Sequence, residues 1–350
     1  MRIRSFAKIN LGLEVLGLRP DGYHDLRTLF QSVSLADELT FFPETSGQIV
    51  LRGNDPSIPW DESNLVFRAA HSLRERSSHA LGARIEVTKT VPAGKGLGGG
   101  SSNAAMTLLG LNRLWGLGLS LEELTDIGRS LGADVPYFLR GGLCLGLDRG
   151  DRLTALEDLP ILPLVIALPP FSCPTADIYR EHRRALEAGE ASPLPGPAGS
   201  VKGWRGEGAP RPRAAALPRA RPGKSRDRTP LQSSLAPGKE WPAFGAKLTS
   251  AVQDSKIERF FGSRQLRFLE NSLESTVFRF HPRLQDLKAL FRSWGAELSL
   301  VTGSGSAVFG LFRDRWRAAE AKRAVEKEYP AVLAETVPRD RYERDIWAGV

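Results

Sequence analysis

The stretch "PAGKGLGGGSSNAA", Pro92 to Ala105, sets five glycines around Lys95 and passes straight into serine and alanine. Each glycine forfeits about 0.5–1 kcal/mol of order relative to alanine, so a cluster of them implies positive φ angles or another group pressed close to the backbone. Downstream, Ala104, Leu108, Leu111 and Trp115 recur at helical spacing, and Gly116 supplies a stop. Upstream runs the strand-like "RIEVTKTV", Arg84 to Val91. The reading is therefore strand, glycine loop, helix. A helix N-terminus offers unpaired backbone N–H groups and about half a positive charge, which suits a phosphate. The loop is not a P-loop, which needs Lys and then Ser or Thr right after the last glycine. Nor is it a Rossmann turn: "GLGGGS" fits G-x-G-x-x-G only with Ser101 standing for the last glycine, and no parallel βαβ unit is evident around it.

At 350 residues and 41% hydrophobic, the chain is long enough for two packed cores. Cys144 and Cys173 are far apart and match no metal-ligand spacing, which argues against a disulfide framework or zinc site and for a reducing cytoplasm. Lys8 and Glu14 interrupt what would be a signal-peptide core, and no apolar run approaches the roughly 18 residues of a membrane span. The net charge of +8 is concentrated between Val201 and Arg228, where nine Lys and Arg face two acids.

Along the chain, Ile3, Ala7, Ile9, Leu11, Leu13 and Val15 alternate as in a strand, sending Lys8 and Asn10 to the other face. "RPDGYH" supplies a turn, and strand-like runs follow to Phe42. A helix is expected in Asp61–Arg76, capped by Asp61 or Ser63, and another from the Ser120/Glu123 capping box to Leu131, closed by Gly132. Leu159 to Leu168 reads as a buried strand opening a second domain. Between Gly189 and about Ser263, Pro, Gly, Arg, Ser and Ala dominate without periodicity, the composition of a disordered insert. A helix at Pro282–Trp294, strands at Glu297–Val301 and Ala307–Phe312 around "TGSGS", and a helix from Trp316 to Tyr329 complete the pattern. The fold class is α+β in two domains: a mixed β/α nucleotide-binding domain at 1–157, and an α+β domain at 158–350 carrying the basic insert.

Four further stretches stand beside the glycine loop: "AKIN" with Lys8, "LGADVPYF" with Asp134 between a helix stop and Pro136, "LENSLE" at Leu269–Glu274, and "VTGSGSAVFG" with Gly303 and Gly305. Each is weak alone. Taken in order, "AKINLGLEVLGLRPDGYHDLRTLFQSV", "PAGKGLGGGSSNAA", "LGADVPYF" and "TGSGSAVFG" closely resemble the GHMP kinase superfamily. Within it they resemble the family acting on 4-diphosphocytidyl-2-C-methyl-D-erythritol in the non-mevalonate isoprenoid pathway. The resemblance covers Arg4 to about Tyr179 and resumes from about Phe268.

That resemblance implies a two-domain GHMP kinase fold, and transfer of the γ-phosphoryl group of ATP, with Mg²⁺, to a substrate hydroxyl. It implies that Gly96, Leu97, Gly98, Gly99, Gly100, Ser101 and Ser102 wrap the ATP phosphates, with Pro92 and Gly94 leading into the loop and Asn64 near adenine. Asp134 matches the catalytic aspartate that takes up or orients the hydroxyl proton, and Lys8 its partner, which counters the growing charge on the transferred group. Tyr23 matches a residue stacked on cytosine, His24 one that hydrogen-bonds it, and Tyr179 the aromatic on the other side of the base. Asn10 matches a residue near the reacting hydroxyl, and Thr302, Gly303 and Ser304 the third superfamily motif beside the transferred phosphate. No metal ligands are assigned. Two departures stand out: Lys95, where a small residue is common and whose side chain we expect to point to solvent, and the long basic insert. The rival readings are a GHMP kinase for homoserine or mevalonate, and a binding protein that docks on nucleic acid through the insert.

Overall fold

Two long antiparallel strands, β1 (Arg2–Leu18) and β2 (His24–Glu44), form the spine of the first half of the chain. The computed structural model describes residues 1–19, 21–77, 81–188 and 269–347, so the insert expected at 189–263 lies outside the described residues. The alternation in β1 is real, but one face does not hold all of its odd-numbered residues. A bulge between Phe6 and Ala7 shifts the register. Ile3 and Phe6 therefore bury together under the helices, while Ala7, Ile9 and Leu11 bury on the opposite face. A second irregularity falls between Asn10 and Gly12. Bulges re-aim side chains, and these two bracket Lys8 and Asn10.

β3 (Ile49–Gly53), α1 (Leu65–Arg74) and β4 (Gly82–Thr88) follow, with β3 and β4 paired in parallel. This is a βαβ arrangement directly upstream of the glycine loop, contrary to the expectation that none surrounds it. The loop follows the second strand rather than the first, so it still does not occupy a Rossmann turn. The cap of α1 also differs: it is Asn64, whose Oδ1 accepts from Val66 N at 2.9 Å. Asp61 instead accepts from the Ser63 backbone and hydroxyl, forming the turn before the helix.

α2 (Gly99–Leu114), α3 (Leu121–Leu131), α4 (Val135–Phe138), β5 (Leu143–Leu147) and β6 (Arg152–Ala155) complete the first layer. The capping box of Ser120 and Glu123 and the closing Gly132 of α3 occur as expected. Its sheet has the order β3-β4-β2-β5-β6, with β1 on β2. The second sheet pairs Ala331–Glu335 with Pro163–Ala167, that strand with Val308–Leu311, and the latter with Leu298–Val301, antiparallel throughout. It comprises β7 (Pro163–Ala167), β8 (Leu298–Val301), β9 (Val308–Leu311) and β10 (Ala331–Glu335). With it go α5 (Thr175–Glu187), α6 (Glu274–Phe280), α7 (Arg283–Ser293) and α8 (Arg315–Val325).

Three buried apolar clusters result, one between the first sheet and its helices, one between the two sheets, and one under the helices of the second. The last helix, α9 (Arg339–Asp345), leaves the second sheet and joins the first cluster through Tyr342 and Ile346. Tyr342 donates to Phe138 O at 2.6 Å and lies 5.4 Å from the Phe6 ring. Phe138 ends α4, the turn that follows Asp134, so the C-terminal helix braces the segment holding that carboxylate.

Candidate active site

The glycine loop and α2 meet at Gly98, the N-cap, in the left-handed region at φ 71°. No side chain caps the helix, so its first N–H groups face outward from a 16-residue dipole. Two glycines are required by contact as well as by backbone. A Cβ on Gly96, φ 77°, would fall 2.1 Å from Thr302 O. One on Gly98 would fall 2.6 Å from the Phe138 ring and 3.2 Å from Lys8 Cε. The loop thus sits directly on the "TGSGS" turn and on Lys8, forming a cradle that only a bare backbone fits. That cradle suits the phosphates of a nucleotide.

Lys8 and Asp134 come together beside it, Nζ to Oδ2 3.5 Å apart. The Lys8 side chain is 4% exposed and that of Asp134 33%, so the carboxylate is the member open to a ligand. Burial lowers the Lys8 pKa from its ordinary value, and the Asp134 charge offsets part of that drop. Lys8 Nζ also donates to Asn10 Oδ1 at 2.6 Å, and Asn10 Nδ2 to Thr28 Oγ1 at 2.7 Å. The Thr302 hydroxyl accepts from Asn10 N at 3.1 Å and lies 3.2 Å from Gly96 O. A Cβ on Gly303 would stand 3.5 Å from Asn10 Oδ1, Gly96 O and Lys8 Nζ alike. Residues from the first strand, the glycine loop, the turn before α4 and the "TGSGS" turn (the third glycine turn) therefore converge on one point.

Sequence reasoning assigned no role to three residues that hold this arrangement. Thr28 donates to Gly12 O at 2.8 Å, across the second β1 irregularity. Asn271, inside the "LENSLE" stretch, ties Val301 O and Gly303 O at 2.8 and 2.7 Å. Asp37, fully buried, accepts from Thr90 N and Val91 N at 2.7 Å, from Asn103 Nδ2 at 2.9 Å, and from Lys89 Nζ. It clamps the segment just after β4 to Asn103 of α2, which sets the path of the loop between them. Replacing Asp37 with alanine strands the buried Lys89 ammonium and is expected to destabilise the fold by about 3–5 kcal/mol, read from urea unfolding.

Several expected site residues present their backbone or use their side chains internally. The Ser102 hydroxyl is buried and donates to Phe6 O at 2.7 Å, whereas Ser101 stays half-buried at the helix start. Leu97 puts its side chain in the core and its carbonyl on Lys8 N. Asn64 occupies both ends of its amide, on Val66 N and Pro59 O. Pro92 is half-buried, Gly94 is exposed next to Ser172, and the exposed Gly100 faces Leu65. Ser304 pairs with the Thr175 hydroxyl at 2.9 Å. Lys95 does not point to solvent: it is 8% exposed and donates to Pro169 O at 2.7 Å and to Phe171 O. The aliphatic stem needs burial and the ammonium finds carbonyls across the loop.

At the end of the first hairpin, His24 and not Tyr23 faces Tyr179, ring centroids 5.1 Å apart at 37°. Tyr23 is 55% exposed, with the Arg149 guanidinium 5.1 Å over its ring. Among the described residues, His24 Nε2 is buried with no hydrogen-bond partner. Burial, and after it the Asp134 charge, pushes the Tyr179 phenol well above its ordinary pKa. His182, bonded to Thr276 at 3.1 Å, and His24 both have lowered pKa values, first through burial. The folded state therefore binds fewer protons than the unfolded chain as pH falls below about 6.5. Stability present at neutral pH is lost through that window. Urea midpoints at pH about 7.5 and about 5.5 should show the loss, smaller in His182→Gln than in wild type.

Comparison with known proteins gives the family. Residues 64–142 match the family GHMP kinases N terminal domain, and 259–331 match GHMP kinases C terminal. The first match spans the glycine loop and Asp134, the second the third glycine turn, so fold and site together define a GHMP kinase. The 4-diphosphocytidyl-2-C-methyl-D-erythritol kinase of Syntrophus aciditrophicus is 37% identical over 328 residues, 93% of this chain and 95% of that one. A crystal structure of 4-(cytidine 5'-diphospho)-2C-methyl-D-erythritol kinase superposes with a TM-score of 0.66 at 30% identity, covering 96% of this chain and 99% of that chain. The chain belongs to the 4-diphosphocytidyl-2-C-methyl-D-erythritol kinase family. A homoserine kinase from Cytophaga hutchinsonii shares the fold, with a TM-score of 0.62 at 19% identity and coverage of 97% and 95%. Among the described residues, no helix is long and apolar enough to cross a membrane.

Proposed function

We propose that this chain transfers the γ-phosphoryl group of ATP to the 2-hydroxyl of 4-diphosphocytidyl-2-C-methyl-D-erythritol, in the non-mevalonate route to isoprenoid precursors. The observation that carries the reading is the Lys8–Asp134 pair, 3.5 Å apart, set against the Gly98 cap of α2. Phosphoryl transfer is mainly positioning and charge neutralisation. The first N–H groups of α2 hold the phosphates, and the bare backbone of Gly96 to Gly100 lets them approach. Asp134, open on one side, takes up or orients the proton of the attacking hydroxyl. Lys8 places a fixed positive charge beside the transferring group, in a buried setting where such a charge acts strongly. Asn10, held by Thr28 and Thr302, orients the alcohol.

The loop cradle fits ATP. Mg²⁺ would be carried chiefly by phosphate oxygens and water, with Asp134, the carboxylate paired with Lys8, the protein group that would face it. Bound there, it would neutralise charge on the phosphates.

The cytosine end would be read by His24 Nε2 and by the face of Tyr179. Their 5.1 Å separation is smaller than the roughly 7 Å that a base between two rings requires, two contacts of about 3.5 Å. The base would then lie against this pair rather than between them, with Tyr23 approaching from the exposed turn. Tyr179→Ala is expected to raise KM for the cytidine substrate by about tenfold, the loss of a stacking contact, while KM for ATP stays within about twofold. Steady-state kinetics with each substrate varied test this, and a change confined to ATP would displace the cytosine site from Tyr179. Homoserine and mevalonate remain the competing acceptors on fold grounds alone, and lack a ring for this pair to bind.

A further inference from the structure

One buried cation near the site has no part in the chemistry above. Lys95 stands in the glycine loop, yet its ammonium points away from the loop's open face, onto Pro169 O at 2.7 Å and Phe171 O. Among the described residues no carboxylate pairs with it. The carbonyls it holds belong to the short connection between β7 and α5, the helix carrying Tyr179. That connection touches the nucleotide side repeatedly. The Ser306 hydroxyl donates to Phe171 O at 2.5 Å, Ser172 Oγ stands 3.1 Å from where a Gly94 Cβ would be, and Thr175 bonds Ser304 at 2.9 Å. Lys95 O in turn accepts from Ala307 N at 3.2 Å. The phosphate loop, the third glycine turn and the start of α5 are thus fastened at one place, and Lys95 supplies two of the bonds.

We propose that Lys95 is a positioning residue that locks the Tyr179 arm to the phosphate loop, so that ATP and the cytidine substrate each tighten the binding of the other. The proposal rests on the functional reading above. Ordering of the loop by a nucleotide fixes the ammonium, the ammonium fixes residues 169–171, and these set where α5 begins. Because coupling between two ligands is reciprocal, the effect must be the same size from either side.

The test is calorimetric titration of the full chain. A non-hydrolysable ATP analogue with Mg²⁺ is titrated alone and with saturating 4-diphosphocytidyl-2-C-methyl-D-erythritol, and the order is then reversed. Wild type is expected to show at least about fivefold mutual tightening, within the usual range of coupling. Lys95→Met, which keeps the buried stem, should reduce it below about twofold with the analogue's own Kd changed by less than about threefold, and Lys95→Arg should restore part of it. A merely structural lysine would lower the melting temperature and shift both separate affinities while leaving the tightening ratio at its wild-type value, which would overturn the proposal. Absence of tightening in wild type would overturn it equally. If Lys95→Met does not fold, Thr175→Val removes the other tie to α5 and must also weaken the coupling; an unchanged ratio there overturns the proposal. Wild type that binds the ATP analogue but not the cytidine compound would instead bring down the functional reading, and this proposal with it.

Discussion

Asp134→Asn is expected to cut turnover by about 10²–10⁴-fold, the usual contribution of a positioned acid–base group. KM for ATP should move by less than about tenfold, because the carboxylate acts on the reacting hydroxyl and not on the bound nucleotide. Asparagine keeps the size of the side chain and removes only the proton acceptor and the charge. The partner responds predictably. Lys8 is held down in pKa by burial and supported by the Asp134 charge, so without that charge its pKa falls further. Residual activity of the variant should accordingly decline at a lower pH than wild type on the alkaline side, as Lys8 loses its proton. Lys8 itself stays in place through its bond to Asn10 Oδ1 at 2.6 Å. Rates over a pH series with saturating substrates check both statements, and near-wild-type turnover would remove Asp134 from the chemistry.

Gly96→Ala is expected to be nearly as damaging without touching a chemical group. Its new methyl would meet the Thr302 carbonyl oxygen at 2.1 Å, on a backbone already at φ 77°. Neither partner is a flexible side chain, so the loop and the third glycine turn must separate. Lys8 moves with them, since Lys8 N is bonded to Leu97 O at 3.0 Å. A displacement of about 1 Å at reacting groups costs on the order of a hundredfold, and kcat/KM for ATP should fall by at least that much. Gly17→Ala, with nothing within 4 Å of the added methyl, serves as the control and should match wild type in unfolding and kinetics.

Local signals in the sequence were strong where the physics is local. A glycine cluster before a periodic helix announces a cradle at a helix end, and Ser120 with Glu123 announces a cap, because both are decided within a few residues. The fold class follows from the alternation of such elements. What escaped depends on distant partners. The β1 bulge, which puts Ile3 and Ala7 in different cores, is set by pairing with β2 across a hairpin. The buried end of Lys95 is fixed by carbonyls 74 and 76 residues away, and the clamp at Asp37 by amides 53 and 54 residues away. Asn64 displaced Asp61 and Ser63 as the cap of α1 because Pro59 O anchors its amide. The pairing of His24 with Tyr179 joins the first hairpin to helix α5, a contact for which no spacing rule exists. Even so, Lys8, Asn10, Asp134, Gly96, Gly98, Thr302 and Gly303, singled out from separate motifs, lie together in space.

The most direct test of the central claim is ADP release with ATP and Mg²⁺, measured in parallel with 4-diphosphocytidyl-2-C-methyl-D-erythritol, homoserine and mevalonate as acceptors, for wild type and Asp134→Asn. Release is expected with the cytidine compound alone, with its near-complete loss in the variant. Release with homoserine or mevalonate but not with the cytidine compound, or release indifferent to the loss of Asp134, would contradict it.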